Sequence, residues 1–96
     1  MSKLICASFI GAALVLGIAA PPAEAADPGF CRRYAAVALN QVRTALSLPG
    51  CRRGMEGSRW SADFRVHFDW CLREPFGAAE AERGIRTRHL QACRRI

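Results

Sequence analysis

The run Ser58-Arg59-Trp60-Ser61-Ala62-Asp63-Phe64-Arg65-Val66-His67-Phe68-Asp69-Trp70-Cys71-Leu72-Arg73 decides the fold. Its aromatic content suits a strand, but Trp60, Phe64, His67 and Cys71 recur at intervals of four, three and four, a period nearer 3.6 than 2. Phe68 and Trp70 flank that stripe, while Arg65, Asp69 and Arg73 take the other side. The segment is therefore read as an amphipathic helix running from Ser58 or Ser61 to Arg73.

Working outward, Asp27-Pro28 reads as a helix start, an N-cap acceptor followed by proline at the first helical position, where a missing N–H is harmless. The helix it opens runs to about Ser47. On its wheel Phe30, Cys31, Tyr34, Ala35, Ala38, Val42, Ala45 and Leu46 share one broad face, opposite Arg32, Arg33, Asn40, Arg43 and Thr44. Leu48-Pro49-Gly50 stops it, and residues 48–59, with Gly54 and Gly57, read as a loop anchored by Cys51. Downstream, Pro75 and Gly77 interrupt, and a third helix is expected from Phe76 or Ala78 to Arg94. Its weaker stripe is Ala78, Ala81, Ile85, His89, Ala92 and Cys93, with Leu90 beside it. Three helices with short connections most simply run up, down and up, so an all-α bundle is expected.

The chain has 96 residues and a net charge of +6, enough for one small domain. Lys3, the apolar run Leu4–Ala20, Pro21-Pro22 and Ala23-Glu24-Ala25 have the form of an export signal, with cleavage expected after Ala25 and an uncleaved anchor as the alternative. Cys6 stands at the start of the apolar run, the wrong end for lipid attachment. The domain is then residues 26–96, too short for a hydrophobic core alone to hold comfortably. Removing the signal leaves four cysteines, Cys31, Cys51, Cys71 and Cys93, which in a short exported chain read as a two-disulfide framework. The implied location is periplasmic or secreted, with no membrane span once the signal is gone.

An up-down-up bundle places Cys31 and Cys71 at one end and Cys51 and Cys93 at the other. Bridged Cα atoms lie within about 7 Å, so this geometry favours Cys31 with Cys71 and Cys51 with Cys93. The nested pairing, Cys31 with Cys93 and Cys51 with Cys71, needs helix 3 to turn away or the first loop to double back. Intervals of 20, 20 and 22 residues between cysteines lack the close pairs of a zinc site or a C-x-x-C redox motif. No metal or cofactor is expected.

Asp63 and His67, four apart, would let a carboxylate orient an imidazole, the beginning of a general base. No nucleophile stands at a readable spacing, although Ser58 and Ser61 are near, and His67 lies mid-stripe, where a hydrogen-bonded core histidine is the simpler reading. Glu82 and His89 on helix 3, with Asp63, His67, Tyr34 and Gln41, form a candidate polar cluster between helices, flanked by Trp60 and Trp70; it is read as a hydrogen-bond network or as a small-ligand pocket. The pairs Arg32-Arg33, Arg52-Arg53 and Arg94-Arg95, with Arg59, Arg83, Arg86 and Arg88, form a candidate surface for anions. Glu80 and Glu82 are expected to offset part of this charge by pairing with Arg83 and Arg86. Basic stretches without interleaved aromatics argue against nucleic acid. The mature chain carries arginine and no lysine, a pattern that coding bias also produces.

With these residues laid out, Gly50-Cys51 followed by Gly57-Ser58-Arg59-Trp60, Asp63, His67 and Trp70-Cys71 resembles a pattern, G-C … G-x-R-W-x-x-D-x-x-x-H-x-x-W-C, of small exported proteins and modules of Gram-negative bacteria. Cys31-Arg32-Arg33-Tyr34-Ala35 and Leu90-Gln91-Ala92-Cys93 complete the unit, so the resemblance spans nearly the whole mature chain. It implies a disulfide-stapled helical unit and assigns no substrate or catalytic residue. The expected function is an exported, non-catalytic binding or structural module acting on another exported protein or an anionic envelope component. Two alternatives are a cationic protein attaching to anionic lipid or polymer, and a small hydrolase using Asp63 and His67.

Overall fold

The structure, a computed structural model, describes residues 26–95; the export signal expected at residues 1–25, with Cys6, and Ile96 lie outside them. Three helices form: α1 (Pro28–Ser47), α2 (Phe64–Arg73) and α3 (Phe76–Cys93), with 3-10 turns at Pro49–Cys51 and Ser58–Trp60. No strand forms among the described residues.

Local chemistry sets each boundary. The Asp27 carboxylate accepts the Phe30 N–H at 2.7 Å, capping α1, and Pro28 occupies its first turn. Leu48 is extended, as a residue preceding proline must be, and α1 ends there. Glu74 is extended before Pro75 for the same reason, so only two residues separate α2 from α3. The loop between α1 and α2 turns at Gly54 and Gly57, where φ is 85° and 88°, a region that side chains with a Cβ avoid.

Three sequence expectations are corrected. Helix α2 begins at Phe64, not at Ser58 or Ser61, because Asp63 acts as its N-cap: its carboxylate accepts the Arg65 N–H at 2.9 Å and its own N–H donates to Ser61 Oγ at 3.0 Å. Trp60 is therefore off the helix, in a 3-10 turn, yet it is buried. On α3 the buried face is Ala79, Arg86, Leu90 and Cys93, whereas Ala81 and Ala92 of the expected stripe are exposed. An arginine sits in the middle of the true face and disguises its phase. Leu46, assigned to the apolar face of α1, is 46% exposed.

Helix α1 is central, and α2 and α3 each pack on it far more than on one another. Fully buried Ala35 and Ala38 give the close approach that short side chains allow. Disulfides close the two ends, Cys31–Cys71 with Cα atoms 5.6 Å apart and Cys51–Cys93 at 4.9 Å. This is the up-down-up arrangement with the end-matched pairing; the nested alternative is not formed. Each bridge lies in its own apolar cluster: Cys31, Tyr34, Cys71 and Ala79 at one pole, Val42, Ala45, Cys51, Trp60, Leu90 and Cys93 at the other. Closing loops of 40 and 42 residues is worth roughly 4 kcal/mol per bridge on chain-entropy grounds, less than the sum because the loops overlap. For so small a domain that rivals the whole net stability.

Candidate functional site

Between the two apolar poles the chain buries a polar waist. Tyr34 and Gln41 stand two turns apart on the same face of α1, and Arg86 of α3 inserts between them. Arg86 is 1% exposed. Its Nε–H donates to Gln41 Oε1 at 2.8 Å, one terminal nitrogen donates to the Tyr34 hydroxyl at 2.9 Å, and the other to the Arg59 carbonyl at 3.3 Å. The guanidinium carbon lies 5.2 Å from the Tyr34 ring centre, within cation–π reach. Gln41 in turn donates to Thr87 Oγ1 at 2.9 Å and to the Arg83 carbonyl at 3.3 Å. Among the described residues no carboxylate comes within 4 Å of Arg86.

Beside this waist lies a cavity of about 200 Å³. Tyr34 and Arg86 line it together with Val66, His67 and Trp70 of α2, and Ser58, Arg59 and Glu82 complete the wall. His67 Nε2 lies 2.7 Å from the Ser61 carbonyl. A carbonyl only accepts, so Nε2 carries the proton. Burial pushes the His67 pKa below the ordinary histidine value, although the Ser61 bond opposes this, and the ring is neutral near pH 7 with Nδ1 unprotonated. Burial raises the Tyr34 phenol, with the Arg86 bond pulling the other way, so the hydroxyl keeps its proton. At the mouth Arg59 grips Glu82 with two bonds, 2.7 and 3.1 Å, and that contact holds the Glu82 carboxyl below the usual range.

Of the polar cluster expected from sequence, Tyr34, His67, Trp70 and Glu82 come together, with Gln41 behind them. Trp60 and His89 do not join; they pair with each other near the Cys51–Cys93 end, ring centres 4.7 Å apart, with His89 Nε2 2.9 Å from the Cys51 carbonyl. Asp63 is exposed and occupied in capping α2, and it makes no hydrogen bond to His67 among the described residues. The expected carboxylate–imidazole pair is thus absent there, because the N-cap position outcompetes it.

The arginines divide in the same way. Arg32, Arg33, Arg52, Arg53, Arg94 and Arg95 are exposed, whereas Arg86, expected on the basic surface, is the buried centre of the waist. Glu80 pairs with Arg83 as expected, but Glu82 reaches Arg59 across the chain instead of Arg86. The signal for Arg86 was present in the sequence: it stands seven residues before Cys93 and four before Leu90, in phase with the buried face.

Among the described residues no group of His, Cys, Asp and Glu is placed to hold a metal, and no helix is long and apolar enough to cross a membrane. The two disulfides belong to an oxidising compartment outside the cytoplasm. No family model, curated protein or solved structure matches the chain.

Proposed function

We propose that the protein is a non-catalytic binding module, exported to the periplasm or secreted, that recognises its partner in the cavity between α2 and α3. The observation that carries this reading is a charged guanidinium placed at the back of a formed cavity without a carboxylate partner. Burying such a charge is unfavourable, and an apolar network in place of Arg86, Gln41 and Tyr34 together would serve stability at least as well. The carboxylate that would serve a catalytic histidine is engaged otherwise: Asp63 caps a helix and makes no hydrogen bond to His67 among the described residues. Both features favour recognition over turnover.

The test is a survey by NMR of neutral, cationic and anionic small molecules against protein purified from a bacterial periplasm with both disulfides formed. Hits should converge on the Tyr34, His67 and Trp70 resonances, and V66W, which fills the cavity from its exposed rim, should abolish them. A hydrolytic or redox activity lost in H67A with the fold intact would replace the reading with an enzymatic one.

A second reading, attachment to anionic lipid or envelope polymer, is favoured by one feature. The Cys51–Cys93 bridge brings Arg52-Arg53 and Arg94-Arg95 to a single pole, all four exposed and, among the described residues, none in an ion pair. Charge-driven co-sedimentation with anionic vesicles at low salt that fades at high salt supports it. Failure to sediment even at low salt removes it.

A further inference from the structure

We infer that the cavity takes a small monocarboxylate with an apolar body, its carboxylate on the free edge of Arg86, whether the acid is a free molecule or the C-terminus of a peptide. This rests on the proposed binding role and adds the class of ligand.

The donor arithmetic comes first. A guanidinium has five N–H groups in a planar fork, and Arg86 spends three, on Gln41, Tyr34 and the Arg59 carbonyl. Two remain without a partner among the described residues, one on each terminal nitrogen. Those nitrogens lie between Tyr34 and Arg59, both of which line the cavity. Tyr34 adds a third donor: its oxygen accepts from Arg86, so its own O–H is available. Planar paired donors match a carboxylate, which accepts two parallel bonds.

Charge and size narrow the class. The wall carries Arg86 and Arg59 as cations, Glu82 as an anion and a neutral His67, leaving one unit of positive charge. One negative charge neutralises it; a dianion such as phosphate would leave an excess facing Glu82. A volume of about 200 Å³ lies below the range of roughly 300–1,000 Å³ usual for drug-sized ligands, so only a short molecule or a chain end enters. Trp70 and Val66 give that body an apolar wall.

The experiment titrates the oxidised protein by NMR with benzoate, acetate, their amides, inorganic phosphate, and one short peptide with either a free or an amidated C-terminus. Benzoate should shift the Tyr34 and Trp70 resonances while benzamide at equal concentration does not. V66W should weaken benzoate at least tenfold, and so should R86M carried with Q41L and Y34F to remove the two buried groups that R86M alone would orphan. E82Q should tighten it about fivefold, the size of a partly exposed charge interaction. If the free peptide binds and the amidated one does not, the physiological source includes chain termini; if neither binds while benzoate does, the source is a free acid. Equal response to benzoate and benzamide, preference for phosphate, or no benzoate response by about 50 mM, a very weak Kd, overturns the inference. A neutral hit at the same resonances without a carboxylate hit leaves the binding module standing and removes only its ligand class; silence from every probe removes both.

Discussion

Replacing Arg86 by methionine separates stability from function, because the two make opposite demands on this residue. In R86M the buried Gln41 carbonyl and Tyr34 hydroxyl each lose their partner, and the part-buried Arg59 carbonyl loses one that water can replace. A buried polar group left unsatisfied costs about 1–3 kcal/mol, and two of them give roughly 2–6 kcal/mol. Against that, the variant no longer buries an unpaired charge, a relief of several kcal/mol in the opposite direction. The relief offsets part or all of that cost, so R86M alone is expected between no change and about 3 kcal/mol destabilising, a fall in Tm of up to roughly 20 °C for a domain of this size. Adding Q41L and Y34F removes both orphans and should restore or exceed the original stability, by about 1–4 kcal/mol, as when a buried polar network becomes apolar. Thermal or urea unfolding of the parent, R86M, the Q41L/Y34F pair and the triple variant, with disulfides intact, reads both numbers. A triple variant that melts below the parent would refute the claim that the waist is maintained at a cost to stability.

Other expectations are more local. In C71S the thiol of Cys31 is left unpaired in a fully buried position, and the loss of about 4 kcal/mol should abolish accumulation of folded protein in the periplasm; normal yield and an unchanged melt contradict the bridge. His67 has a folded pKa below its unfolded value, so the stability it contributes is full above about pH 6.5 and is lost as the pH falls through that value toward the folded pKa. Glu82, also depressed, adds a further loss below about pH 4.3. H67Q retains a donor for the Ser61 carbonyl and should flatten the change in Tm between about pH 7 and pH 5; an unaltered slope assigns the titration elsewhere. D63A should cost about 1 kcal/mol, the value of an N-cap, and leave small-molecule binding unchanged; loss of binding at constant stability would place Asp63 in the site.

The parts of this fold that sequence reading captured are those set by short-range chemistry. Asp27-Pro28, Leu48-Pro49 and Glu74-Pro75 end or begin helices through two or three adjacent residues, and the cysteine spacing pairs correctly once three helices alternate in direction. The start of α2 misled because Trp60 continues the apolar period, although Asp63, a cap residue just ahead of Phe64, carried the opposing local signal. The face of α3 was read out of phase because a polar residue at Arg86 shifts the apparent stripe toward Ala78, Ile85 and His89. The cavity was only half legible. Tyr34, His67, Trp70 and Glu82 could be nominated as polar or aromatic groups near helix interfaces, but the contacts that build the site join residues far apart in sequence: Arg86 with Tyr34 across 52 positions, Arg59 with Glu82 across 23. Which arginine is buried is decided by the packing of three elements at once, and no single helix carries that information.

The whole arrangement, two apolar poles around a polar waist, depends on which sulfurs are joined. Arginine spacing makes this directly readable, because cleavage after arginine puts Cys31, Cys51, Cys71 and Cys93 on four separate peptides. Mass spectrometry of an unreduced digest of the protein recovered from a bacterial periplasm should therefore find the peptide ending at Arg32 linked to residues 66–73, and residues 44–52 linked to residues 89–94; if the proposed export signal is cleaved, the first peptide begins at Ala26. Free thiols, or residues 44–52 linked to residues 66–73, would contradict it.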